Sequence, residues 1–155
     1  MDRIAQLAEQ IAHVATEKQV AVGATESLTG GAVSSALAAA PGASEWYHGC
    51  VVAYSPRVKQ EVLGVTPGPV VTERCAREMA QGSARLLQVD ASVSTTGVGG
   101  PDPEEGEEPG TVYVGVVAPT GEFCHRLEID GDDPEKIVQE ATAHALELLL
   151  DALRR

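Results

Sequence analysis

Ser27 and Thr29 stand in a short polar turn, Thr25-Glu26-Ser27-Leu28-Thr29-Gly30-Gly31. The turn follows an apolar run at 20–24 and opens onto Ala32-Val33-Ser34-Ser35-Ala36-Leu37-Ala38, which has the composition of a helix. Such a strand, turn and helix form an anion site. The first N–H groups of a helix have no partner within it, and its dipole favours negative charge there. The two hydroxyls add donors, and Gly30 and Gly31 let the backbone turn tightly. Glu26 is the odd member, because a carboxylate beside a phosphate is repelled. It is better suited to orient a base or to receive a sugar hydroxyl. The pattern suggests a phosphorylated small molecule.

A second set of reactive types lies further along, in Ser44-Glu45-Trp46-Tyr47-His48 and Tyr54-Ser55-Pro56-Arg57-Val58-Lys59. A serine, a tyrosine and a lysine from this region could form a nucleophile and its base. Lysine acts as a base when desolvation or a neighbouring cation depresses its pKa. A tyrosine hydroxyl can relay a proton or donate to an oxyanion. A solvated surface is the ordinary place for any one of these residues. Trp46, Tyr47 and Tyr54 suit either core or interface packing or a stacking wall for a flat ring. A third turn, Thr96-Gly97-Val98-Gly99-Gly100-Pro101-Asp102, would let backbone approach a ligand closely at Gly97, Gly99 and Gly100. The acidic stretch after it, Glu104 to Glu108, reads as solvated. No HExxH or CxxC pattern occurs, and His13, His48, His125 and His144 are scattered, so neither a metal nor a cofactor is expected.

These residues need elements to hold them. Apolar positions recur at helical spacing over 2–17, and 20–24 is a short strand. A small-residue helix over 31–40 ends at Pro41-Gly42. A β-branched run at 49–54 is a strand, and 56–63 is a short helix with proline in its first turn. Thr72 caps a helix running to Leu87. Residues 91–95 form a strand, 97–110 a loop, and 111–118 with 122–129 a hairpin around Pro119-Thr120-Gly121. Asp133-Pro134 starts the last helix. The order predicts one domain over 1–155, an α/β fold: a three-layer α/β/α sandwich with a mixed, mostly parallel five-stranded sheet. Ligands in such sheets sit beyond the carboxyl ends of the strands. Parallel strands would therefore bring the turns at 25–31, 54–59 and 96–102 to one edge.

Composition narrows the partners. Apolar residues make up 43% and charged residues 22%, so the chain can build a core. A net charge of −12 disfavours nucleic acid, which needs cationic surface. No apolar run approaches the roughly 20 residues of a membrane span, so no membrane partner is expected. The start, Met1-Asp2-Arg3-Ile4, has no signal-peptide pattern. Cys50, Cys75 and Cys124 form no disulfide framework. A cytoplasmic setting is the expectation. So is a homo-oligomer, with Trp46-Tyr47 at an interface.

Glu26-Ser27-Leu28-Thr29-Gly30-Gly31 resembles the Glu-Ser-x-Thr-Gly-Gly signature of the CinA carboxy-terminal-domain family, the nicotinamide-nucleotide amidohydrolases. The likeness continues through Gly42-Ala43-Ser44-Glu45-Trp46-Tyr47, Gly49-Cys50-Val51-Val52-Ala53-Tyr54-Ser55, Lys59 and Leu63-Gly64-Val65. It resumes at Thr96-Gly97-Val98-Gly99-Gly100-Pro101-Asp102 and Pro109-Gly110-Thr111-Val112-Tyr113, covering residues from about 5 to 150. The resemblance implies metal-independent hydrolysis of nicotinamide mononucleotide to nicotinate mononucleotide and ammonia, within pyridine-nucleotide recycling. It places the nucleophile on Ser44, the general base on Lys59 and the proton relay on Tyr54. Ser27, at a helix start, is the other hydroxyl to weigh. Substrate contacts fall on Glu26, Ser27, Thr29, Gly30, Gly31, Thr96, Gly97, Gly99 and Gly100.

Two departures stand out. Pro56 replaces a common asparagine, which a helix start tolerates. Arginines common in the family near Asp133 and Val138 are missing, which removes charge-assisted phosphate contacts. Arg57 and Arg126 are the candidates to replace them. The chain also looks like the form without the amino-terminal domain that many relatives carry. Alternative expectations are a nucleotide-binding module that has lost turnover, and an interaction protein in competence or DNA-damage response.

Overall fold

Apolar residues recur every three to four positions near both ends of the chain, and that shared period makes two helices that pack as a pair. The computed structural model describes residues 2–155. Helix α1 (Arg3–Lys18) buries Leu7, Ala8, Ile11, Ala12 and Ala15. Helix α6 (Pro134–Arg154) buries Ile137, Ala141, Ala145, Leu146 and Leu149, among others. The two lie together, and with α2 (Ala32–Ala38) they cover one face of the sheet. Fully burying each large aliphatic here contributes about 2 kcal/mol. Asp2 caps α1 through the Ala5 N–H, and Asp133 caps α6 through the Glu135 N–H, with Pro134 in its first turn.

The other face is built differently. Helix α5 (Glu73–Leu87), capped by Thr72, covers it, and α4 (Pro56–Leu63) packs against α5. Small residues let α5 approach closely. Ser83 and Ser92 share a hydrogen bond of 2.7 Å, and the Ser94 hydroxyl donates to the Ala76 carbonyl at 2.6 Å. Gly82 lies directly over the carbonyl of Leu63, at the end of α4.

Between these layers runs a five-stranded sheet ordered β2-β1-β3-β4-β5. Its strands are β1 (Val22–Glu26), β2 (Tyr47–Val52), β3 (Ala91–Gly97), β4 (Thr111–Ala118) and β5 (Gly121–Glu128). The expected three-layer α/β/α architecture and mixed sheet are found, with less parallel pairing than expected. β1 pairs parallel with β2 and β3, while β3–β4 and β4–β5 are antiparallel. No helix intervenes between β3 and β4, so the chain has no crossover to restore its direction.

Boundaries shift where helix ends intrude. β1 starts two residues late because Gln19, left-handed at φ 56°, and Val20, whose N–H bonds to Ala15, still close α1. A short helix, α3 (Ala43–Trp46), was not foreseen; it displaces β2 to 47–52 and leaves Tyr54 beyond the strand. The β1, β2 and β3 ends do converge, with Glu26 opposite Val52 and Thr25 opposite Ser94.

Gly82→Ala would drive its methyl into the Leu63 carbonyl. Urea unfolding should show a loss of about 2 kcal/mol or more. An unchanged midpoint would refute this close packing.

Candidate active site

At the carboxyl end of β1 the chain turns inward, and Ser27 donates its N–H to the Thr95 carbonyl at 3.1 Å. The turn closes through Gly30 N–H to the Ser27 carbonyl, at 3.0 Å. Beyond β2, Ser55 caps α4 by accepting from the Val58 N–H, and Pro56 sets the first turn. That start projects Lys59 back under the β1 turn. Its Nζ lies 2.9 Å from Ser27 Oγ and 3.3 Å from the Tyr54 carbonyl oxygen. Lys59 is only 1% exposed and Ser27 8%.

Burial lowers the Lys59 pKa below the ordinary 10.5, because the charged form loses its hydration. Cys75, Glu104 and Glu105 oppose that shift. Cys75 is itself pushed up to about 11 by burial, so at neutral pH it is a thiol without charge. The two glutamates are the effective counter-charges.

Glu26 does something other than expected. It is fully buried, and its carboxylate caps α2. Oε1 accepts from Thr29 Oγ1 (2.5 Å), Gly31 N–H (3.2 Å) and Val33 N–H (3.0 Å), and Oε2 accepts from Ser34 N–H (2.8 Å). The Cys50 thiol also donates to Oε2, at 3.5 Å, and burial with this neighbour pushes that thiol up to about 12. Glu26 therefore does not orient Lys59. The helix-end donors assigned to a phosphate, with the Thr29 hydroxyl and the Gly31 N–H, are already satisfied by the chain's own carboxylate. In the turn, only Leu28 and Thr29 have N–H groups without an acceptor among the described residues.

The expected partnership of Ser44 with Lys59 is not found. Ser44 is exposed on α3, before β2, whereas Lys59 follows it. The six residues of β2, roughly 18 Å of extended chain, run between them. Trp46 is buried, donates Nε1–H to the Pro41 carbonyl and packs against Tyr47, whose hydroxyl shares a 2.7 Å hydrogen bond with Ser34. Neither is a free stacking wall. The Tyr54 side chain is instead 71% exposed, and its backbone carbonyl is the group that meets Lys59 Nζ.

The third turn is mostly structural. The Thr96 hydroxyl donates to the Val70 carbonyl at 2.7 Å. Gly97 is pressed on the Thr111 carbonyl, and Gly100, at φ 80°, on the Asp132 carbonyl. Gly30 and Gly99 leave open space, the nearest atom to a Gly99 side chain being Leu28 Cβ at 3.8 Å. Thr95 was missed by sequence reasoning. Its hydroxyl meets Thr29 Oγ1 at 2.8 Å and accepts the Ser27 N–H at 3.3 Å. Its place at the carboxyl end of a central strand is the signal that could have found it.

Arg57 and Arg126 are both engaged. Arg57 pairs with Glu61 at 3.1 Å on the exposed side of α4. Arg126 contacts Glu107 and Glu128, and lines a cavity beside Glu108, Asp130 and Asp132. No group of three or more His, Cys, Asp or Glu side chains among the described residues could hold a metal ion. No described helix is long and apolar enough to cross a membrane.

Fold and site together define an α/β/α sandwich with a buried serine–lysine pair at its carboxyl edge. The CinA C-terminal domain matches residues 4–153, and the chain belongs to that family. Competence-damage inducible proteins are similar to it. One from Geobacillus sp. (strain WCH70) is 45% identical over 111 residues, covering 68% of this chain and 27% of its own length. One from Bacillus subtilis (strain 168) is 39% identical over 130 residues, covering 81% and 31%. The chain thus spans about a third of these relatives. Among solved structures, a CinA superfamily protein from Escherichia coli superposes with a TM-score of 0.91 at 29% identity, over 95% of this chain and 88% of that one. A competence/damage inducible protein from Agrobacterium tumefaciens gives 0.93 at 26% identity, over 100% and 98%.

Glu26→Ala would leave three backbone N–H groups without their acceptor. A stability loss of about 2–4 kcal/mol in chemical denaturation is expected. A variant as stable as the parent would show that the cap is dispensable.

Proposed function

We propose that this chain is an amidohydrolase that releases ammonia from nicotinamide mononucleotide, with Ser27 as nucleophile and Lys59 as general base. The observation that carries this reading is the 2.9 Å contact between Lys59 Nζ and Ser27 Oγ, in surroundings that depress the lysine pKa. A neutral Lys59 takes the Ser27 proton as Oγ attacks the carboxamide carbon. The unpaired N–H groups of Leu28 and Thr29 are the donors available to the oxyanion. Lys59 then gives its proton to the leaving nitrogen, and ammonia departs. Water, deprotonated by Lys59, attacks the resulting ester and frees the acid and the Ser27 hydroxyl. The exposed Tyr54 is suited to stack on the pyridine or to donate to the leaving group.

Family membership supports the pyridine-nucleotide substrate. A phosphate would be met away from the α2 terminus, which Glu26 occupies; Arg57, three residues after Tyr54, would have to leave Glu61 to meet it. A second reading is a nucleotide-binding module without turnover. It is favoured by the missing arginines near Asp133 and Val138 and by the carboxylates around Arg126. A role in competence or damage response draws only on the relatives' names.

Ser27→Ala should cut ammonia release from the mononucleotide by about a thousandfold or more, while Ser44→Ala keeps the parent rate. The opposite pattern would return the nucleophile to Ser44. Mononucleotide binding without release by the parent protein would select the module. The neutral amine is the active form of Lys59, and its fraction grows as pH rises through a pKa held below 10.5. kcat/KM should therefore climb along an acid limb below pH 10.5, and a flat profile would remove Lys59 from the base role.

A further inference from the structure

The acidic segment between β3 and β4 is not simply solvated. Residues 104–107 close a tight turn, with Glu104 N–H bonded to the Glu107 carbonyl at 3.1 Å and Glu107 N–H to the Glu104 carbonyl at 2.8 Å. Glu105 and Gly106 occupy its centre, at φ 53° and 77°. A two-residue turn of this kind requires left-handed backbone at both positions, which is ordinary for glycine and unfavourable for glutamate, so contacts of the Glu105 side chain add to what holds it there. Its carboxylate reaches 34–35 residues back along the chain. It accepts the Val70 N–H at 2.9 Å (Oε2) and 3.2 Å (Oε1), and the Val71 N–H at 2.9 Å (Oε1).

That clamp bears on the serine–lysine pair from two directions. The Val70 carbonyl accepts from Thr96, next to Thr95, which holds the Ser27 turn. Val71 is buried, and Val70 packs on the cluster of Ala53, Leu63, Val65, Cys75 and Met79, which spans the two ends of α4.

We propose that Glu105 is a positioning residue of this site: its carboxylate pins the loop after β3 to the Val70–Val71 segment and supplies a fixed negative charge to the field at Lys59. The inference rests on the serine–lysine reading above. The charged and titratable groups around Lys59 can be named element by element. On α4, Arg57 and Glu61 neutralise one another on the exposed side. On α5, Cys75 is a neutral thiol, and Glu78 is tied to Thr66 through its N–H and hydroxyl. Tyr54 is exposed, and Glu26 is saturated by the α2 terminus. Glu104 and Glu105 remain, and only Glu105 has a carboxylate locked by backbone donors. A fixed carboxylate favours the ammonium form and restrains the drop that burial imposes. The loop would thereby set the pH at which the base becomes available.

The test uses the unliganded protein. The chain has three lysines, Lys18, Lys59 and Lys136, so ¹³Cε-lysine NMR can follow Lys59 directly. Glu105→Gln removes the charge and keeps an acceptor; the Lys59 midpoint should move to lower pH. Glu105→Ala should also speed amide exchange at Val70 and Val71 by about tenfold or more. Glu108→Gln, on the same loop, should change neither. A Lys59 midpoint in Glu105→Gln equal to or above that of the parent overturns the electrostatic role. Unchanged exchange at Val70 and Val71 in Glu105→Ala overturns the clamp. Neither readout needs turnover, so failure of the parent to release ammonia would end the hydrolase reading while the role of Glu105 is still decided by these two measurements. In an active protein, the acid limb of Glu105→Gln should follow the Lys59 midpoint downward, a shift that a merely structural residue would not produce.

Discussion

Lys59 is buried to 1% exposure, and the structure around the carboxyl edge is organised by what that burial requires. An ammonium out of water is costly unless it is paired or gives up its proton. Among the described residues no carboxylate pairs with Lys59; its near partners are a hydroxyl and a backbone carbonyl. Such surroundings lower the Lys59 pKa and so ease its conversion to the neutral amine, the form that can act as a base on a neighbouring hydroxyl. Position and proton affinity come from the same packing: the Ser55 cap and Pro56 start α4 where Lys59 can reach under the β1 turn.

Glu26 sets the second constraint. In a sequence pattern, a glutamate before a helix start resembles an intruder in an anion site. In the fold it is the anion. Its two oxygens collect the α2 donors and the Thr29 hydroxyl, and Thr29 in turn holds Thr95. The turn carrying Ser27 is thereby fixed from both sides, by the α2 terminus and by β3. The same device occupies the α2 terminus, the strongest phosphate site in the sequence pattern, with the chain's own carboxylate.

Much of the fold was legible because it rests on local signals: helical periodicity, Thr72 and Asp133 caps, proline at two helix starts, and the hairpin of β4 and β5, whose turn is one residue shorter than expected because Gly121 already pairs with Ala118. Convergence of the three turns was also legible, since parallel strands place their carboxyl ends together. The late hairpin announced an antiparallel part of the sheet, but strand order was not legible, being set by which faces pack. Within the site, Lys59 and the Ser27 turn were found and their partnership was not. Ser44 is nearer to Lys59 in sequence, but a whole strand lies between them. Ser27 lies 32 residues away and is brought into contact by parallel pairing of β1 with β2. Thr95 was marked only by its place at the end of β3, and Glu105 only as part of an acidic stretch read as solvated; the contacts that give them their roles form across the chain.

Everything proposed for this site turns on Lys59 activating Ser27. Labelling with a small sulfonyl fluoride, followed by peptide mapping, tests that activation without assuming a substrate. Modification should fall on Ser27, fast above the Lys59 midpoint, slowing as pH falls through it, and absent from Lys59→Met. Modification at Ser44 with Ser27 untouched, or labelling of Ser27 at the same rate in Lys59→Met, would contradict it.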